Sequence, residues 1–142
     1  MKREKYKIEA GEDPEQMIRF LEDRIYEHNS SAINTSDGEL FSRIVRGEDK
    51  EIIAGVAGWA WGSACEITQL WVKENVRSSG IGKLLLESVE IEAKAKGCLI
   101  ILVKSYSFQA PQFYKAHGYQ IEHVQYGFPP GHNYYILTKR IG

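Results

Sequence analysis

The sequence has few cysteines and no pattern that indicates a metal site. Cys65 and Cys98 are its only two cysteines, and each lies in an apolar segment typical of a strand. This context favours buried free thiols in a reducing compartment over a disulfide. We therefore expect neither a disulfide framework nor a metal ion.

An excess of charge and a long apolar run are also absent. The formal net charge is −1 at pH 7, so no broad basic surface indicates nucleic-acid binding. The charged N-terminus, residues 1–5, precedes no apolar run that could serve as a signal peptide or membrane span. These absences predict a cytoplasmic protein whose partners are neither nucleic acid nor a membrane.

A chain of 142 residues can enclose one hydrophobic core, and we interpret residues 1–142 as a single domain. Apolar patterning predicts strands at Tyr6–Ala10, Leu40–Arg46, Ile52–Trp61, Ile67–Val72, Cys98–Val103, Gln120–Tyr126 and Asn133–Lys139. Helices are predicted from Pro14, with Asp13 as the capping residue, to about His28, from the glycines at 80 and 82 to Gly97, and over Ala110–His117. Turn-forming residues at 47–51 and 127–132 predict an antiparallel meander that ends at Val72 and a hairpin of the last two strands. This order predicts an α/β (α+β) fold with a mixed, mostly antiparallel central sheet and helices on both faces.

The central predicted helix is amphipathic. One face carries the apolar and small residues Ile81, Leu84, Leu85, Ser88, Ile91 and Ala95. The opposite face carries the charged residues Lys83, Glu87, Glu90 and Lys94. We expect the first of these faces to pack against the protein.

A glycine-rich turn, Arg77-Ser78-Ser79-Gly80-Ile81-Gly82, joins the strand Ile67–Val72 to this helix. Glycine lets the backbone approach a ligand closely, and a helix N-terminus presents unpaired N–H groups with a partial positive charge. Together with Arg77 and Lys83, the turn predicts a pyrophosphate site. The spacing matches neither GxGxxG nor GxxxxGK[ST]. On the turn alone, a surface helix that simply opens with glycine is an equal alternative.

Two motifs in this order resemble the GNAT superfamily of N-acetyltransferases. Arg-x-x-Gly-x-Gly between a strand and a helix is similar to the superfamily's coenzyme A loop. The segment from Ala110 through Phe113 and Tyr114 to Gly118 and Tyr119 resembles its second motif, in which a short helix presents a tyrosine toward the coenzyme sulfur. The resemblance extends from about Ala54 to the C-terminus, and it is strongest to small bacterial members of undefined substrate.

The resemblance implies acetyl-CoA as co-substrate and a GNAT-like sheet. Main-chain groups of Leu70, Trp71 and Val72 would bind the pantetheine arm, and an N–H of Trp71 or Val72 would polarise the thioester carbonyl. The pyrophosphate would be held by Arg77, Ser78, Ser79, Gly80, Ile81, Gly82 and Lys83. The remaining coenzyme contacts would come from Ser107, Ala110, Phe113 and Tyr114.

Two of these positions carry a second interpretation. Ser107 stands where many members of the superfamily have asparagine, and its shorter side chain has less reach toward the coenzyme. Phe113 is also interpretable as a core aromatic residue.

Acetyl transfer to an amine requires a proton acceptor, because an ammonium group with a pKa near ~10 is not a nucleophile. Glu66 is our candidate, since the histone-acetyltransferase branch carries its base at this offset from the loop. An ordinary carboxylate on a half-exposed strand is the alternative, with Glu39, His123, His132 or water as the base. Tyr114 is predicted to donate a proton to the leaving thiolate, and the alternative is that it only packs.

The sequence therefore predicts an acetyl-CoA-dependent N-acetyltransferase that transfers an acetyl group directly to a primary amine of a small molecule or peptide. A catalytically idle acyl-CoA-binding or sensing module of the same fold is the alternative from another class. Trp59 and Trp61 either line an acceptor pocket or belong to the core. A homodimer is compatible with the sequence, which leaves the acceptor and the acyl-chain preference open.

Overall fold

A six-stranded sheet forms the larger part of the protein. The computed structural model describes residues 5–142, which divide into one compact unit that ends at Ser36 and a second, Asp37–Gly142. The second unit contains β1 (Glu39–Arg46), β2 (Ile52–Trp61), β3 (Ala64–Val72), β4 (Ile100–Tyr106), β5 (Gln120–Tyr126) and β6 (Asn133–Arg140). The strand order is β1-β2-β3-β4-β6-β5, and only β3 and β4 pair in parallel. The predicted mixed, mostly antiparallel sheet is confirmed.

The first unit contains the helix α1 (Pro14–Ala32). Asp13 caps it as predicted, because its carboxylate accepts hydrogen bonds from the backbone N–H groups of Glu15 and Gln16. The helix continues past the predicted end at His28. The hydroxyl of Ser30 donates a hydrogen bond to the carbonyl of Glu27 at 3.1 Å. Because this bond forms within the helix, the polar segment does not break the helix.

The strand predicted at residues 6–10 is wrong, since this segment has no regular secondary structure. Short apolar alternation forms a strand only where a neighbour accepts its hydrogen bonds. Residues 1–4, which include most of the charged N-terminus, lie outside the described residues.

The first three strands form the predicted antiparallel meander, interrupted by a bulge. Ala57 pairs with Gln69 and Gly58 with Ile67, which leaves Thr68 as an extra residue on β3. Gly58 has no room for a side chain, because a Cβ there would overlap the carbonyl oxygen of Glu66. The bulge therefore depends on glycine at this position.

The helix α2 (Ile81–Ala95) packs against the sheet through Leu85, Leu86, Val89 and Ala93, all of which are buried. The predicted packing face was wrong in part, since Leu84 and Ile91 are exposed. Both stripes repeat at helical spacing, and the path of the chain into the helix decides which one meets the sheet. Each large apolar side chain buried here contributes about 1.5–3 kcal/mol.

The remaining elements complete the core on the α2 side. β4 contributes Ile101 and Val103, and β6 contributes Leu137. The short helix α3 (Pro111–Ala116) follows β4, and the predicted hairpin of β5 and β6 is present. Cys65 and Cys98 are free and buried, and burial raises the pKa of Cys65 to about 12, so this thiol is protonated at neutral pH.

Within the part of the chain that the structure describes, no helix has the length and apolar character needed to cross a membrane.

Candidate active site

An open gap between β3 and β4 organises the candidate site. The two strands pair only over Ala64–Ile67 and Ile100–Val103. β3 continues to Val72 and β4 to Tyr106, so these carboxyl-terminal ends are not paired with each other. A parallel pair that separates in this way leaves main-chain groups available to a ligand.

The ladder between β2 and β3 shows which amides face this gap. The N–H of Lys73 donates to the carbonyl of Ile53 on the β2 side at 2.8 Å. Main-chain groups alternate in direction along an antiparallel strand, so Trp71 also directs its amide toward β2. Leu70 and Val72 direct theirs toward the gap. Trp71 and Val72 were the two candidates for the N–H that polarises a thioester carbonyl, and the geometry favours Val72. The N–H of Leu70 faces the gap as well and is a further candidate.

The glycine loop lies directly after β3 and opens α2. Gly80 is the N-cap residue with φ +90°, and no described side chain caps the helix there. The first-turn N–H groups of α2 are therefore left without protein acceptors. Ser78 also has a positive φ, at 68°. The turn has the uncapped N-terminus and positive potential that an anion needs.

The charged and polar side chains of the loop differ in what they contact. Arg77 donates from Nε to the carbonyl of Val72 at 2.9 Å, which ties the loop to the end of β3. The hydroxyl of Ser79 donates to the carbonyl of Val76. Lys83 is exposed and lies 3.9 Å from Glu87, too long for a strong ion pair at a surface, so it is available to a phosphate group.

Gly82 brings α2 close to two other predicted site residues. A Cβ there would lie 3.4 Å from Cζ of Phe113 and 3.7 Å from Cγ2 of Val72. The loop, the end of β3 and the short helix α3 are thus adjacent. Phe113 packs against the core, which agrees with its interpretation as a core residue and leaves its edge near the loop.

Tyr114 lies in α3 with its ring buried. Its exposed fraction is 7%, and its ring contacts those of Phe113 and Tyr119. Burial raises the pKa of Tyr114 to about 12, with no hydrogen bond from the described residues contributing to the shift. A neutral hydroxyl that is not engaged by the protein is a suitable hydrogen-bond donor to a thiolate.

Glu66 lies on the opposite face of the sheet from Tyr114. Its neighbours Cys65 and Ile67 point into the core, and side chains alternate along a strand. The Glu66 carboxylate lies 3.8 Å from Nζ of Lys104. Trp59 is its cross-strand neighbour and is half-buried. The structure therefore separates the two catalytic candidates by the thickness of the sheet.

Ser107 and Ala110 have structural roles at the end of β4. The hydroxyl of Ser107 accepts a hydrogen bond from the N–H of Asn133 at 3.1 Å, which ties this residue to the start of β6 and leaves its proton and its second lone pair for another partner. The carbonyl of Ala110 accepts from the N–H of Phe113 at 3.1 Å and so begins α3.

The alternative bases lie elsewhere. Glu39 on β1 pairs with Lys96 at 2.8 Å. His123 is exposed on β5, and the ring of His132 contacts Phe108. Among residues 5–142, no group of three or more His, Cys, Asp or Glu side chains could hold a metal ion.

Sequence reasoning missed a group of aromatic rings beside the gap. Tyr106 at the end of β4 contacts Phe108, Phe128 and Tyr134. The signal available in the sequence was the recurrence of aromatic residues at the end of one strand and around the last hairpin. Only the pairing of β4 with β6 brings these residues together.

Comparisons with known proteins give matches in sequence and in fold. Residues 41–121 match the Acetyltransferase (GNAT) domain family. The chain is 31% identical over 107 residues to a blasticidin-S acetyltransferase of Streptomyces morookaense, which covers 72% of this chain and 76% of that protein.

Solved structures share the fold. An acetyltransferase from Bacillus cereus superposes with a TM-score of 0.78 and 36% identity, over 96% of this chain and 99% of that one. An aminoglycoside 6'-N-acetyltransferase complexed with coenzyme A superposes with a TM-score of 0.65 and 16% identity, over 73% of this chain and 74% of that one. The second likeness concerns the fold alone.

Proposed function

Because this chain belongs to the GNAT family of acetyltransferases, we propose that it transfers the acetyl group of acetyl-CoA directly to a primary amine of a small molecule or peptide. The observation that carries the proposal is the uncapped N-terminus of α2 beside the open gap between β3 and β4. This arrangement offers an anion site and free main-chain amides at one edge of the sheet.

The residues present fit acetyl-CoA as the donor. The first-turn N–H groups after Gly80, together with Arg77 and Lys83, would hold the pyrophosphate. Main-chain groups of Leu70 and Val72 would pair with the pantetheine arm in the gap, as an added strand does. An amide in the same place would donate to the thioester carbonyl and stabilise the charge that develops on its oxygen.

Two side chains would then transfer protons, one on each face of the sheet. Glu66 would accept a proton from the attacking ammonium group, directly or through water. The Tyr114 hydroxyl would donate to the departing thiolate from the α2 side. Its raised pKa, about 12, keeps it protonated at neutral pH. This separation supports direct transfer, since the amine would lose its proton on one face of the sheet and the leaving thiolate would gain a proton on the other.

Small molecules are the acceptor class that the relatives' names favour. The Streptomyces relative is named for blasticidin S, and one protein of the same fold is named for an aminoglycoside.

The two free, buried thiols support a cytoplasmic location for the reaction.

The test is release of free thiol from acetyl-CoA in the presence of single amines, namely polyamines, aminoglycosides, amino acids and N-terminal peptides. We expect at least one amine to give thiol release together with an acetylated product detected by mass spectrometry. A reaction without amine is the control for simple hydrolysis. Calorimetric binding of acetyl-CoA with no product from any amine would favour the idle acyl-CoA-binding module instead.

A further inference from the structure

We propose that an exposed stack of aromatic rings at the end of β4 binds a planar, unsaturated ring carried by the amine acceptor. We define the ring stack as Tyr106, Phe108, Phe128 and Tyr134. This inference rests on the proposed function, because it names the acceptor class for the same site.

The geometry of the ring stack suits a further ring. The Tyr106 and Phe108 rings have centroids 5.2 Å apart and are inclined by 7°. The Tyr106 and Phe128 rings are 6.5 Å apart and inclined by 8°. Three rings are thus almost parallel, while Phe108 remains 60% and Phe128 51% exposed. A plain packing cluster would cover these rings, whereas these two leave much of their surface available for stacking.

The ring stack lies on the face of the sheet that carries Glu66. Leu102 pairs with Glu66, and Tyr106 points to the same side as Leu102 because side chains alternate along β4. At a rise of ~3.3 Å per residue, Leu102 and Tyr106 are about 13 Å apart. An acceptor whose ring joins the stack could therefore bring an amine at its other end to Glu66.

The charge around the ring stack favours an uncharged ring over an ammonium group. Residues 105–114 and 124–137 contain no Asp, Glu, Lys or Arg. Lys104 lies between the stack and Glu66 on the same face, where it pairs with Glu66 at 3.8 Å. Lys104 and Glu66 offset each other's charge, and the two segments that carry the ring stack contain no carboxylate that would attract an ammonium group there. The cationic end of the acceptor therefore belongs at Glu66 and the neutral ring belongs at the stack.

The experiment compares 6-phenylhexylamine with 6-cyclohexylhexylamine as acceptors. These amines have the same length, and the saturated ring is the more hydrophobic, so hydrophobicity alone would favour it. We expect kcat/KM for thiol release to be about 2- to 12-fold higher with the phenyl compound, the range expected for ring stacking. Phe108→Leu and Phe128→Leu should each reduce this preference, mainly through KM, at an unchanged melting temperature. Tyr126→Leu, an exposed aromatic in the same hairpin but outside the stack, is the matched control and should keep it.

Binding is measured separately by saturation-transfer NMR of 6-phenylhexylamine with coenzyme A present. Ring contact in the wild type that is weakened in Phe108→Leu supports the ring stack even if neither amine is acetylated, in which case only the proposed function fails for these amines. Equal acetylation of both amines overturns the ring-stack proposal and leaves the proposed function intact. The ring-stack proposal is also overturned if the phenyl preference persists in both leucine variants, or if neither acetylation nor ring contact is seen.

Discussion

Replacement of Gly80 by aspartate tests whether the glycine loop holds the pyrophosphate of acetyl-CoA. Gly80 has φ +90°, and a Cβ built there meets no atom within 4 Å. The fold should therefore accept a side chain at a backbone cost of about 1–2 kcal/mol. The new carboxylate would lie next to the first-turn N–H groups of α2, where the pyrophosphate is proposed to bind.

The expected loss of affinity follows from Coulomb's law. At a separation of about 5 Å and an effective dielectric constant of about 40, each pair of like charges costs about 1.7 kcal/mol. Two phosphate charges then cost about 3 kcal/mol, or ~150-fold in Kd. Gly80→Asn has nearly the same size and the same backbone strain without the charge, so the difference between the two variants isolates the electrostatic effect.

The assay is calorimetric titration of each folded variant with acetyl-CoA at low and high salt. Because screening shortens the Debye length to ~3 Å at 1 M salt, the difference between Gly80→Asp and Gly80→Asn should narrow there. Wild-type affinity in both variants would refute the loop assignment. Equal weakening in both would show that backbone strain, and not charge, is responsible.

Three further substitutions test the catalytic candidates and the bulge. Tyr114→Phe should lower kcat by ~10- to 1,000-fold with little change in acetyl-CoA affinity or melting temperature. Because burial raises the pKa of Tyr114 to about 12, the wild-type hydroxyl stays protonated from pH 6 to 9, and the loss of kcat in the variant should be constant over that range. Equal turnover of the variant and the wild type would show that Tyr114 is only a packing residue. Glu66→Gln should lower turnover by ~100- to 10,000-fold near neutral pH, whereas Glu39→Gln should not; a near-normal rate from pH 6 to 9 would transfer the base role to water or another residue. Gly58→Ala should cost about 1–3 kcal/mol of unfolding free energy in urea, because its Cβ would overlap the Glu66 carbonyl and lie 2.7 Å from Phe41 Cζ. Gly11→Ala, which meets no atom within 4 Å, is the control, and equal stability of the two variants would contradict the account of the bulge.

Features that depend on neighbours in the chain were predictable from the sequence. Asp13 and Pro14 indicated the start of α1, and both are found there. Gly80 and Gly82 marked the opening of α2, and Gly97 follows its end with φ +77°. The hairpin of β5 and β6 followed from its turn residues. Caps and turns are stabilised by groups a few residues apart, so the local sequence is sufficient to locate them.

Local pattern was not sufficient where two outcomes share the same periodicity. Leu84 and Leu85 both fit an apolar helical stripe, and only Leu85 is buried. The segment at residues 6–10 alternates like a strand without forming one. In both cases contacts with residues distant in the chain decide the outcome.

The sequence by itself determined the order of the strands and helices in the second unit, the glycine loop between β3 and α2, and the two motifs that identify the family. The tertiary structure alone decided how these parts face one another. The bulge at Thr68 and the ladder with β2 turn the amides of Leu70 and Val72 toward the gap, and the Trp71 amide away from it. Pairing of β4 with β3 and β6 places Glu66 and Tyr106 on one face, while Tyr114 lies in the core on the other. The reason is physical: a shift of one residue in strand register reverses the face of every side chain, and register is set by partners far away in the sequence.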